Sequence, residues 1–284
     1  RTKHKKLTFT KMRGTGNDYL YFDCFDQTVE SPESLAVRLS NRRTGVGSDG
    51  IVLIMPSTIA DAKMRMFNAD GTEGSVAGNA LRCVCKYLYE NGHVRKAEMA
   101  VETGSGVKTA KLFIREDQVF SVLVDMGCPA FAPAKIPVKL DGDRVMMRPV
   151  FLAGEKREIS CVSMGNPHVV IFVEDVNRIP LEQVGSQIET DSLFPERVNV
   201  SFAQIVDKND IVMRVWERGI GETAACGTGA CAVAVAAVEN GFCTRGADID
   251  VRLPGGTLVV RYQEDGKVWL TGDANTDFTG TIEI

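Results

Sequence analysis

The 284 residues, 44% apolar and 25% charged, suffice for one large domain or two ordinary ones around a packed core. A net charge of −4 excludes a general nucleic-acid binder, which needs a basic surface. No run approaches the ~18 apolar residues of a membrane span, so no membrane partner is expected.

Taken in chain order, residues 1–6 are basic and short, the pattern of a frayed terminus or processing remnant. A first residue other than Met fits upstream residues having been removed or replaced. Leu7–Met12 and Tyr19–Cys24 read as strands. Ser31–Asn41 reads as a helix, with Ser31 as N-cap and Pro32 at its first position. Ile51–Met55 is a buried strand, and Lys63–Phe67 alternates like a half-exposed one. A helix from Gly78 to Glu90 places Leu81, Val84, Cys85 and Leu88 on one face, and Asn91-Gly92 stops it. Three strands then run to about Met126.

The second half reads alike. Asp141-Gly142-Asp143 is expected to be a hairpin turn. Strands follow at Ser160–Met164 and Val169–Val173, a helix near Leu181–Glu189, and strands at Val198–Val206 and Ile211–Trp216. A helix at Gly227–Glu239 is apolar on nearly every side through Ala232–Ala237, which suits enclosure by strands. Terminal strands end at Thr281–Ile284.

A repeat underlies this order. Gly16-Asn17 recurs as Gly165-Asn166, an offset of 165 − 16 = 149. The same register links Phe67 to Trp216, Glu73 to Glu222, Gly78 to Gly227, Val84 to Val233, and Glu90-Asn91-Gly92 to Glu239-Asn240-Gly241. A duplication is expected: an α+β fold of two pseudo-symmetric α/β halves, each a mostly antiparallel sheet around a central helix, with the site between them. The halves are placed at residues 1–126 plus 274–284, and at 127–273.

Cys226 stands before a helix whose first turn is Gly227-Thr228-Gly229-Ala230. The helix start offers unpaired N–H groups and partial positive charge, which lower a thiol pKa and bind a carboxylate. The matching segment is Val76-Ala77-Gly78-Asn79. Two helix starts gripping one carboxylate, with a thiol at each, would suit removal of an α-proton on one face and its return on the other. The position matching Cys226 is Ala77 (226 − 149 = 77). Cys83 lies too far along its helix to substitute, and Ser75 is too weak an acid.

These residues resemble the diaminopimelate epimerase family. Met66-Phe67-Asn68-Ala69-Asp70-Gly71-Thr72-Glu73 and Gly78-Asn79-Ala80-Leu81-Arg82-Cys83 look like its first signature. Trp216–Gly229 resembles the second. Gly14–Asp18, Gly45–Gly50, Gly165–His168 and Arg197–Asn199 also fit. The resemblance implies a two-domain epimerase without pyridoxal phosphate or other cofactor. It implies interconversion of LL- and meso-diaminopimelate, in lysine and cell-wall precursor synthesis, by a cytoplasmic homodimer.

Carried over by position, Cys226 matches one acid/base cysteine. Gly78, Asn79, Gly227 and Thr228 match backbone donors to the reacting carboxylate. Asn17, Asn68, Asn166, Asn199, Glu217 and Arg218 match substrate contacts, with Arg218 suited to a distal carboxylate and Glu217 to an ammonium. The departure is Ala77, where the family carries its other catalytic cysteine. An engineered Cys→Ala change and a paralogue that lost epimerisation both account for it, and the intact substrate shell favours the first. A racemase of another amino acid, such as histidine, and a non-catalytic amino-acid-binding protein remain alternatives.

Four features are set aside. Gly45–Gly50 spells GxGxxG, but a helix precedes it and a strand follows, the reverse of a dinucleotide site. His168, beside Pro167, is expected to fix a loop. Asp70 and Glu73 are expected to support the loop before the helix, with Glu222 echoing Glu73. Eight cysteines without a CxxC, and only three histidines, lack the paired-ligand pattern of a zinc site, so no metal is expected; the scattered thiols read as reduced and cytosolic.

Overall fold

The structure, a computed structural model, describes residues 5–74 and 78–284, so Ala77 lies outside the described residues. The chain divides into two compact units, Arg1–Val124 with Gly272–Ile284, and Asp125–Thr271. Among the described residues, no helix is long and apolar enough to cross a membrane.

Unit 1 holds β1 (Lys6–Gly14), β2 (Asn17–Asp23), α1 (Pro32–Ser40), β3 (Gly50–Met55), β4 (Ala62–Asn68), β5 (Glu73–Gly74), α2 (Gly78–Glu90), β6 (Glu98–Thr103), β7 (Gly106–Arg115) and β8 (Gln118–Asp125). Unit 2 holds β9 (Arg148–Leu152), β10 (Glu155–Ser163), β11 (Pro167–Phe172), α3 (Leu181–Glu189), β12 (Asn199–Asp207), β13 (Asp210–Glu217), β14 (Gly221–Thr223), α4 (Gly227–Glu239), β15 (Asp248–Leu253), β16 (Gly256–Tyr262) and β17 (Val268–Asp273). The strand after it, β18 (Asn275–Glu283), returns to unit 1 and pairs with β1.

Each unit has the same ladder. In unit 1, neighbouring strands run antiparallel except at β2–β3 and β4–β6. In unit 2 the exceptions are β11–β12 and β13–β15. A parallel pair needs a crossover, and a helix supplies it each time: α1 and α2 in unit 1, α3 and α4 in unit 2. The registers repeat as well. Leu20 faces Ile51 as Val169 faces Val200, and Phe67 faces Glu73 as Trp216 faces Glu222. One residue slips after the second helix of unit 2, because Ala62 faces Val101 whereas Ile211 faces Val251.

Side chains follow the duplication. Arg65 binds Glu73, and Arg214 binds Glu222, each through paired guanidinium contacts. The echo of Glu73 in Glu222 is therefore a repeated ion pair across a hairpin. Asp70 does support its loop, since Oδ1 accepts from Thr72 N and Oγ1.

The helix stops are equally matched. Gly92 N donates to Tyr89 O and His93 N to Leu88 O, as Gly241 N donates to Val238 O and Phe242 N to Ala237 O. Gly92 and Gly241 sit at φ 78° and 80°, the left-handed region open to glycine. An added Cβ would meet nothing within 4 Å at either. Gly92→Ala and Gly241→Ala should thus each cost only the conformational term, about 1 kcal/mol, read by urea unfolding.

Helix α4 is enclosed as its composition demands. Every residue from Ala230 to Ala237 is fully buried, and strands β10, β11, β12, β13, β15 and β16 pack on it. Small residues let strands approach on all sides. A second core of unit 2 lies against α3, built from Leu181, Ile188, Phe194, Val198 and Phe202 with neighbouring strands.

Two expectations need correction, and a third holds in position only. Ser31 occupies the N-cap of α1 but at φ 49°, with no side-chain cap; its carbonyl accepts from Leu35 N and Ser34 Oγ instead. Asp141-Gly142-Asp143 joins no pair of strands. It lies in the irregular stretch between β8 and β9, where Arg148 Nη2 donates to the carbonyls of Asp141 and Arg144. Pro167 and His168 are not loop residues, for both lie in β11.

Candidate functional site

In unit 2, the start of α4 gathers residues from the ends of β11 and β13. Cys226 is the N-cap in extended conformation, and its Sγ accepts from Gly229 N at 3.4 Å. Gly229 has to be small, because a Cβ there would stand 3.2 Å from that sulfur. The next amide, Ala230 N, bonds Cys226 O. Helix geometry leaves the N–H groups of Gly227 and Thr228 without intrahelical acceptors, available to an anion.

Thr228 continues the network. Its Oγ1 accepts from Asn166 Nδ2 at 3.1 Å, lies 3.1 Å from His168 Nε2 and is 3.6 Å from Cys226 Sγ. His168 Nε2 also lies 3.0 Å from Asn166 Oδ1. The amide oxygen can only accept, so Nε2 carries the proton. Burial, reinforced by the charge of Arg218, pushes the imidazole down to about 3, so it is neutral. His168 thus sits in the site as a buried neutral donor. Its sequence signal was the run Asn166-Pro167-His168, whose strand placement brings the ring inward.

Glu217, at the end of β13, accepts a short hydrogen bond from Thr223 Oγ1. Burial raises its carboxyl pKa. Burial also drives the Cys226 thiol up to about 12, and the nearby Glu217 carboxylate adds to the rise; hydrogen bonds from Thr228 and Gly229 pull the other way. The lowering expected from the helix start is therefore outweighed. The proton rests on sulfur, because desolvation of a thiolate costs more than one helix turn returns.

Arg218 is held through its backbone, with N donating to Asn199 Oδ1 at 2.8 Å. Its Nη1 donates to Glu196 O at 3.0 Å. Asn199 is buried, and its Nδ2 donates to Pro167 O. Both ends of this amide are engaged by the chain, so Asn199 ties the start of β11 to the Arg218 turn.

Unit 1 carries the related arrangement at α2. Asn79 Nδ2 donates to Asn17 Oδ1 at 2.5 Å, at the positions matching Thr228 and Asn166. Asn17 Nδ2 donates to Asp49 Oδ2, and Asp49 O accepts from Ala69 N. Asp49 therefore links Asn17 to the end of β4. Asn68 itself bonds Thr72 Oγ1. The Thr15-Gly16 turn has both residues at positive φ, 38° and 87°, as a two-residue hairpin turn requires. Fully buried Arg82 steadies it, donating from Nη2 to Thr15 Oγ1 and from Nε to Asp273 O. Gly78 opens α2; what precedes it lies outside the described residues.

Sequence reasoning missed Arg82, Asp49, Thr223 and Glu189. Arg82, Asp49 and Glu189 act through partners distant in the chain, and Thr223 through Glu217 across a tight hairpin; a lone charged or hydroxylic residue gives no periodic signal.

A family model described as diaminopimelate epimerase matches residues 9–132 and 160–276. A diaminopimelate epimerase of Acetivibrio thermocellus is 47% identical over 279 residues, covering 98% of this chain and 99% of that one. One from Desulfovibrio desulfuricans is 49% identical over 285 residues, with 98% and 99% covered. Among solved structures, a Bacillus anthracis phenazine biosynthesis protein of the PhzF family superposes with a TM-score of 0.71 at 17% identity, covering 99% and 100% of the two chains. A hydroxyproline epimerase from Agrobacterium vitis gives 0.62 at 15%, covering 98% and 93%, so these two share the fold. Motifs, duplicated topology and near-full-length relatives agree: the chain belongs to the diaminopimelate epimerase family.

Proposed function

We propose that this chain recognises diaminopimelate and that Cys226 is its one thiol for α-proton transfer. The observation that supports this best is the buried Cys226 thiol at the start of α4, beside Glu217 and two helix N–H groups. As thiolate, Cys226 would take the α-proton while the carboxylate, gripped by N–H groups of Gly227 and Thr228, carries the developing charge. Epimerisation needs a second acid to deliver a proton to the other face. In the family that acid is a cysteine, and here its position is Ala77. The expected residual chemistry is removal and return of a proton by Cys226 on the same face. That exchanges hydrogen with solvent but does not invert the centre.

Arg218 supports the choice of substrate. A guanidinium suits a distal carboxylate, which a simple amino acid such as histidine lacks. Titration calorimetry with meso- and LL-diaminopimelate tests the reading. The parent chain should bind, and Arg218→Ala should weaken binding about 100-fold, the size of a lost charge-assisted contact of ~2–3 kcal/mol. A parent chain that binds neither isomer would sink it.

A further inference from the structure

The duplication isolates one charged group that unit 1 does without. Glu189 ends α3 at the position where Ser40 ends α1 (189 − 149 = 40). In unit 1, Ser40 Oγ bonds Ser48 Oγ at 3.2 Å. In unit 2 the same two positions hold Glu189 and Arg197, an ion pair at 3.3 Å. Where unit 1 has a neutral hydroxyl pair, unit 2 has a carboxylate and a guanidinium. The charged pair is costly on two counts. Glu189 is only 6% exposed, and burying a charge carries a desolvation penalty. It also stands at a helix C-terminus, where the helix dipole disfavours an anion.

The carboxylate is used fully. Oε1 accepts from Trp216 Nε1 at 2.9 Å and Oε2 from Gly219 N at 2.9 Å. Those donors bracket Glu217 and Arg218. In unit 1 the position matching Trp216 is Phe67, which has no N–H to offer, and the position matching Arg218 is Ala69. Gly185 clears the space, since a Cβ there would lie 2.7 Å from the indole. Arg197 takes its place at φ 62°, a left-handed conformation uncommon for arginine.

We propose that Glu189 is a positioning residue for substrate recognition: its buried carboxylate fixes the Trp216–Gly219 turn so that Arg218 is presented to the distal carboxylate of the substrate. The inference rests on the recognition of diaminopimelate proposed above. The test compares two ligands, diaminopimelate and lysine, which lacks the distal carboxylate. Binding is followed by NMR titration, and thermal melting reports folding. Glu189→Gln should weaken diaminopimelate binding at least tenfold and change lysine binding less than twofold. Should that variant fail to fold, Glu189→Ser with Arg197→Ser rebuilds the hydroxyl pair of unit 1 and should show the same selective loss. Equal losses for both ligands would mean a merely structural role and overturn the inference. So would variants that bind diaminopimelate within twofold of the parent. If the parent itself binds no diaminopimelate, the recognition reading falls and takes this one with it.

Discussion

A chain carrying Ala77→Cys should interconvert LL- and meso-diaminopimelate at least ~10³ times faster than the parent. A positioned acid or base contributes typically 10²–10⁴-fold, and here the replacement supplies the one that a two-sided proton transfer lacks. Circular dichroism of the diaminopimelate pool reads the inversion, and deuterium incorporation from D₂O reads the proton transfer. The two readouts separate in the parent, where exchange without inversion is expected, and converge in the revertant. A folded revertant that inverts no faster than the parent would refute a two-thiol mechanism for this chain.

Cys226→Ala should remove the residual exchange, a fall of at least ~10² measured by NMR loss of the α-proton in D₂O. The pH dependence of the parent has a definite sign. The working form is the thiolate, and burial holds the thiol at about 12. Below that value the thiolate fraction grows tenfold per pH unit, so exchange should climb with unit slope from pH 7 to 10 without levelling. A plateau near pH 8.5, the range of an ordinary thiol, would show that burial does not control Cys226. Glu217→Gln should shift the profile toward lower pH, because it removes the carboxylate that disfavours a second negative charge.

Much of this was legible in the sequence because duplication leaves a double record. The pairs Gly78/Gly227 and Gly92/Gly241 marked the same helix twice, and both helices begin and end there. The rejected GxGxxG at Gly45–Gly50 does follow α1 and lead into β3, which opens at Gly50. Strand β9 escaped notice for a physical reason. It is five residues long, opens with Arg-Pro and, among the described residues of its unit, pairs only with β10, and its exposed Phe151 gives no inward pattern. His168 was misread because Asn and Pro before it are turn formers, yet Pro167 pairs with Ser163 at a strand end. The raised thiol of Cys226 was illegible in principle. A helix start is visible in sequence, but the depth at which packing buries it is not.

The return of β18 to unit 1 has a consequence for synthesis. Unit 2 is one uninterrupted stretch, Asp125–Thr271, whereas β1 waits for a partner that follows unit 2 in the chain. A polypeptide emerging from its N-terminus can therefore complete its second half first. Until β18 is translated, β1 keeps one side unpaired, an open edge of the kind that invites association with other chains. The first half to be made is the last that can close.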